Sequence, residues 1–133
     1  MLRYLLDTDH LTLFQRGHAP VARRVALKPP DTIGISVVTI EESLRGRLAQ
    51  LARAGDGPAR IKQYMLLEQS IQLFAQFPID SYDQDAETNF QQLRALRMGT
   101  QDRKIAAIAL AAQLILVTAN LRDFARVPGL VLD

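Results

Sequence analysis

A parallel β-sheet with helices on both faces, an α/β fold, is what this 133-residue sequence predicts. Three observations predict it. Short runs rich in apolar and β-branched residues recur along the chain, as at residues 32–38 (TIGISVV) and 114–118 (LILVT). Segments with apolar residues at helical spacing separate these runs, so strands alternate with helices and not with tight turns. The length suits one core, and no repeat, low-complexity tract or linker divides the chain, so residues 1–133 are expected to form a single domain.

Taken in order, residues 4–6 read as a short buried strand that stops at Asp7. Residues 10–16 carry Leu11, Leu13 and Phe14 at helical spacing, ahead of Gly17 and Pro20. Residues 21–27 read as a second helix, broken by Pro29 and Pro30. The run 32–38 is a strand by β-branched content. Thr39 then serves as an N-cap with Glu42 as its capping-box partner, starting a helix whose apolar stripe is Ile40, Leu44, Leu48 and Leu51. Residues 54–58 form a Gly-rich turn, and 60–77 a long helix that is apolar over a wide arc. Residues 77–80 make a short strand. Residues 86–97 are helical, with Gly99 as terminator, and 102–113 form an Ala-rich helix behind a Thr100 cap. The buried strand 114–118, a short helix and a last strand at 130–132 complete the chain.

Composition narrows the chemistry. Hydrophobic residues make up 48% and charged residues 23%, ordinary values for a globular protein. No apolar run reaches the roughly 18 residues of a membrane span. The N-terminal apolar run is too short for a signal peptide and is interrupted by Asp7, so the expected compartment is the cytoplasm. With no cysteine, disulfides, thiolate catalysis and cysteine zinc sites are excluded. The two histidines, His10 and His18, lack a third partner, so any metal would be held by oxygen, which favours Mg²⁺ or Mn²⁺. Net charge is +2 but unevenly spread. Residues 16–62 hold nine Lys/Arg against Asp31, Glu41, Glu42 and Asp56, whereas 68–87 hold five acids and no base. A basic first half is compatible with a polyanionic partner, although a solvated helix surface is the reading that charge alone favours.

Acids and amides gather at the ends of strands and the starts of helices, where ligands of parallel sheets bind. Asp7 and Asp9 follow the first strand, and each also has a plain reading as a helix cap. Glu41 and Glu42 open the next helix, where the dipole alone favours them. Their neighbours differ: Glu41 has Arg45 at i+4 for a surface ion pair, whereas Glu42 has Gly46, an open surface that costs the helix roughly 1 kcal/mol. Glu42 is therefore the ligand candidate. Asp102 falls in the first turn after Thr100. Asn120 and Asp123 follow the strand 114–118 as an Asn-x-x-Asp pair resembling a capping box. Should these carboxylates converge, mutual repulsion raises their pKa values unless a cation neutralises them. An oxygen-lined Mg²⁺ cluster with open positions suits phosphodiester hydrolysis.

LLDTD near the start, SVVTIEES-LRG in the middle, GTQDRKIAAIAL, and LVTANLRDFARVPGL at the end resemble, in order and over nearly the whole chain, a PIN-domain protein. The similar subgroup is the VapC-type toxin ribonucleases of bacterial type II toxin–antitoxin pairs. The resemblance implies a PIN-like fold with a central parallel sheet, and a Mg²⁺- or Mn²⁺-dependent endoribonuclease in which Asp7, Glu42 and Asp102 are catalytic and bind metal. Many relatives carry an acid directly after the last long strand. This chain has Asn120 there, which leaves Asp123 as the nearest carboxylate for a fourth metal ligand. Thr8, Asp9, Ser36, Thr118 and Asn120 are implied to orient carboxylates or water. A cognate VapB-type antitoxin that covers the site, a homodimer, and an RNA substrate such as a transfer or ribosomal RNA loop are implied as well. The apolar arc of residues 60–77 suits a partner-binding helix, or ordinary core packing.

Three other readings compete. LLDTD imitates the start of a haloacid-dehalogenase-like phosphatase with Asp7 as nucleophile, but Leu11 stands where a small hydroxyl residue is expected and no suitable lysine follows. A phosphate-receiver domain needs a lysine after a late strand, and LVTANLRDF has none. A catalytically silent binding module, its acids kept for capping, is the non-enzymatic alternative.

Overall fold

The computed structural model describes residues 3–133. Five strands make one sheet: β1 (Tyr4–Leu6), β2 (Ile33–Ser36), β3 (Ile79–Asp80), β4 (Ile115–Val117) and β5 (Val131–Leu132). All pairings are parallel, in the order β3-β2-β1-β4-β5. Seven helices connect them among the described residues: α1 (Thr8–Gln15), α2 (Ala19–Ala26), α3 (Val37–Arg53), α4 (Pro58–Phe74), α5 (Gln84–Gln92), α6 (Thr100–Ala112) and α7 (Leu121–Phe124). The expected parallel sheet flanked by helices is the observed fold.

Side chains alternate across a strand, so the central strands feed two cores. Leu5 and Leu116 point into one, shared with Ile105, Ala106 and Ile108 of α6 and Phe124 of α7. Leu6, Ile35 and Val117 point into the other, with Leu11 of α1 and Leu73 and Phe74 of α4. The small side chains of α6 let α5 approach closely enough for Asn89 Nδ2 to donate to the Ala107 carbonyl at 3.2 Å.

Several boundaries differ from the sequence expectation, each through a cap. The strand ends at Ser36, whose Oγ accepts from the Thr39 amide at 2.9 Å. Ser36, not Thr39, therefore starts α3; Val37 and Val38 are helical despite their β-branched side chains, because a cap and a buried helical face outweigh propensity. Glu41 and Glu42 move from the first turn to the second. Gly99 is the N-cap residue of α6 and not the terminator of α5, which already ends at Gln92; Thr100 is the first helical residue. On α3, Leu48 of the expected stripe is exposed. On α4, Leu73 and Phe74 are buried, whereas Ile61, Tyr64, Met65 and Ile71 face outward.

The order in which strands are added to the sheet reverses at β1. The connection from β1 leads to β2 on one side, and β4 returns to pair on the other. This switch point, between the carboxyl ends of β1 and β4, is where parallel sheets open a crevice for ligands. Asp7 and Thr118 are the residues that follow those two strands.

Candidate functional site

Asp7 is 5% exposed and ends β1. Its Oδ1 accepts from the His10 amide at 2.8 Å, which caps α1. His10 Nδ1 lies 3.1 Å from the same oxygen, and since a carboxylate only accepts, that nitrogen carries the proton. Oδ2 accepts from Thr118 Oγ1 at 2.6 Å, across the switch point. Thr118 Oγ1 in turn accepts from the Asn120 amide at 2.9 Å. Asp7 is thus fixed from both strands. The capping role expected of Asp9 belongs to Asp7, because α1 begins two residues earlier than its apolar spacing indicates. Asp9 stands exposed in the first turn.

Glu42 is held by a chain of hydroxyls. Thr8 Oγ1 donates to Glu42 Oε1 at 2.7 Å. Having one proton, Thr8 must accept at its 3.1 Å contact with Thr39 Oγ1, so Thr39 donates there. Ser36 Oγ donates to Thr39 Oγ1 at 3.2 Å. Ser36 and Thr39 are fully buried, and a one-directional chain of this kind polarises each member toward the carboxylate. Glu41 points elsewhere: it is exposed, ion-paired with Arg45, and accepts from Gln101 Nε2 at 3.0 Å. That bond and the nearby Arg45 and Lys104 cations hold its pKa below the usual value despite partial desolvation.

Asp102, on the first turn of α6, has a raised pKa. Burial is the largest cause, followed by the negative charges of Glu42, Asp7, Asp9 and Asp123. Among the described residues, every charge that shifts it has the same sign. The structure therefore brings five carboxylates from four separate stretches into electrostatic contact. Asp123 accepts from Asn120 Nδ2 at 3.1 Å. No side-chain cap forms on α7, so the Asn-x-x-Asp pair is not a capping box but a side-chain pair holding one Asp123 oxygen.

Among the described residues, no three His, Asp or Glu side chains already stand as a group ready to hold a metal ion. The donor set nevertheless suits a hard divalent cation: it is oxygen only, and among the described residues no Lys or Arg offsets the acids that act on Asp102. Sequence reasoning passed over Thr39, expected only as a cap, and the His10 contact with Asp7. The i+3 spacing of His10 from Asp7 was the available signal for the second; nothing local signals the first, since Thr8 meets Thr39 only through the register of β1 on β2.

Glu42 opens onto a groove of about 650 Å³ between α1, α3 and α4. Gly46 lines the same groove, and a Cβ added there would meet nothing within 4 Å.

The PIN domain model matches residues 4–130. Among solved structures, a chain of the DNA-bound VapBC from Salmonella typhimurium is similar at 25% identity and TM-score 0.80, covering 100% of this chain and 98% of that one. A chain of a toxin–antitoxin complex from Klebsiella pneumoniae is 25% identical with TM-score 0.73, covering 96% and 95%. VapBC2 from Rickettsia felis, bound to a promoter DNA fragment, shares the fold at 21% identity and TM-score 0.80, covering 99% and 98%. No curated protein matches the sequence.

Proposed function

Because the chain belongs to the PIN domain family, we propose that it is a divalent-metal-dependent endoribonuclease and the toxin of a VapBC-type toxin–antitoxin pair, its 133 residues one PIN domain acting in the cytoplasm. The observation that carries this reading is the surroundings of Asp102. Beyond burial, four further carboxylates push its pKa up, and among the described residues no Lys or Arg offsets them, a charge imbalance that opposes folding and that a bound cation would relieve. Asp7, Glu42 and Asp102 would hold Mg²⁺ or Mn²⁺, with Asp123 as a fourth ligand. When bound, such an ion supplies charge stabilisation to the phosphodiester oxygens under attack and lowers the pKa of water.

The chain's own groups supply positioning. Thr118 and His10 occupy both Asp7 oxygens from the protein side and fix the direction of the remaining lone pairs. The Ser36–Thr39–Thr8 chain does the same for Glu42 and leaves Oε2 free of it. Asn120 restrains Asp123. Asp9, exposed at the rim, adds negative potential that draws a cation in. The similar structures include a DNA-bound VapBC and a toxin–antitoxin complex, which supports a VapB-type antitoxin for this chain too. A homodimer and a single-stranded loop of transfer or ribosomal RNA are part of the same proposal, since an unpaired backbone bends into a recessed acidic site where a duplex does not fit.

Expression without antitoxin should arrest growth, and Asp7→Asn should relieve the arrest. Mapping new 5′ ends across cellular RNA after brief induction should reveal sites in the wild type that are absent in Asp7→Asn. An Asp7→Asn protein that stays fully toxic, with the same 5′ ends, would contradict the mechanism.

A further inference from the structure

The groove that starts at Glu42 is larger than a metal site requires, and its lining is distinctive. It runs along α3 from Glu42 to Gln50, eight residues or about 12 Å at the helical rise, with the facing turns of α4 as the opposite wall. Arg16, Arg47 and Lys62 line it, and Glu42 is the one acid that does. These three cations have no ion pair among the described residues, whereas Arg45 on α3 and Arg60 on α4 each have a carboxylate at i−4. Arg47 Nε and Gln63 Oε1 are buried without a hydrogen-bond partner among the described residues. An orphaned donor on the α3 wall and an orphaned acceptor on the α4 wall are groups that a ligand lying between them can satisfy. Gln50, Gln63 and Gln69 add amides, and Leu66 is the lone apolar side chain other than glycine in the lining. An amphipathic helix needs an apolar floor, which this groove lacks.

We infer that this groove carries the single-stranded RNA segment adjoining the scissile bond, with Arg16, Arg47 and Lys62 on its phosphates and the glutamine amides at ribose hydroxyls and base edges. The inference rests on the nuclease reading for the position of the scissile bond, but not for the binding itself. About two or three nucleotides fit its length, at roughly 3.4 Å or more per nucleotide. Gly46 keeps the floor low beside Glu42, where the strand would pass from the groove into the acids.

The experiment uses a short fluorescein-labelled single-stranded RNA of mixed sequence, with affinity read by anisotropy over a salt series in the Asp102→Asn background, and cleavage read separately in the otherwise wild-type chain. Arg47→Gln and Lys62→Gln should each weaken binding about 3- to 10-fold at low salt. Each should also make the slope of log K against log salt shallower by about 0.7, the signature of one lost phosphate contact. In the cleaving protein, KM should rise while kcat stays within about 2-fold. Arg45→Gln and Arg60→Gln, whose partners are carboxylates, should change neither. Unchanged affinity and slope in Arg47→Gln and Lys62→Gln would overturn the inference. So would loss of binding to a co-expressed antitoxin with RNA affinity intact, which would assign the groove to a polypeptide. Salt-dependent binding through these residues in a wild-type protein that cleaves no RNA would uphold the groove and refute the nuclease reading.

Discussion

One oxygen of Asp7 caps the start of α1, and the other is held by Thr118, 111 residues later in the chain. Asp102 has no comparable donor among the described residues; burial and four neighbouring acids act on it instead. The two carboxylates therefore respond differently to substitution. Asp102→Asn removes a charge whose neighbours repel it, so the metal-free protein should melt a few degrees higher while RNA cleavage falls at least about 100-fold. Calorimetry and cleavage assays on one preparation check both, and a lower melting temperature would deny the repulsion. Asp123→Asn should cost less activity than Asp102→Asn, because Asn120 already holds one of its oxygens; equal losses would make Asp123 a full ligand. Thr39→Val keeps shape but breaks the hydroxyl chain, leaving buried partners unpaired at about 1–3 kcal/mol. The acids were readable in the sequence because carboxylates at strand ends are conspicuous. Thr39 was not, because its role depends on a strand register that no local pattern encodes.

Elements were legible where periodicity is strong and blurred where caps compete. Ser36 and Thr39 are both good N-caps by residue type, and the choice between them depends on where β2 stops pairing. Gly34 illustrates a constraint invisible in the strand run TIGISVV. A Cβ on it would stand 2.3 Å from Asp80 Oδ2. That carboxylate reaches over the glycine to Arg3, with Asp80 Oδ1 2.9 Å from the guanidinium. Gly34→Ala should therefore cost about 1–3 kcal/mol by overpacking, measured by urea unfolding. Burial raises the Asp80 pKa, and Arg3 offsets this only in part. A raised carboxylate pKa in the folded state favours folding when the group is protonated. The Asp80 contribution is thus fully present below the ordinary aspartate range and is lost as pH rises through its elevated folded value. Asp80→Asn should flatten that part of the stability profile. At the end of α6, Gln113 adopts φ 56°, left-handed, with the Leu114 amide bonded back to Ala109 at 2.9 Å. Gln113→Gly should stabilise the protein by about 1 kcal/mol, since glycine takes this conformation without a Cβ penalty.

Across the whole molecule, alternating strand and helix signals were enough to expect a parallel sheet, but not the order of its strands. The order β3-β2-β1-β4-β5 places β1 at the centre and puts the ends of β1 and β4 side by side, although Leu6 and its partner Val117 lie 111 positions apart in the chain. That arrangement follows from burial of both faces of β1, which its three residues cannot specify alone. It gathers the acids at one rim and leaves the unpaired cations of α1, α3 and α4 along the adjoining groove. The separation of charge sets the decisive measurement: cleavage of RNA by the purified chain with Mg²⁺, with chelator, and with Mg²⁺ after Asp102→Asn. Cleavage should occur in the first case alone, accompanied by a rise in melting temperature with Mg²⁺ that the Asp102→Asn protein lacks. Equal cleavage in chelator, or a Mg²⁺ response that survives Asp102→Asn in full, would contradict a shared metal site built from these carboxylates.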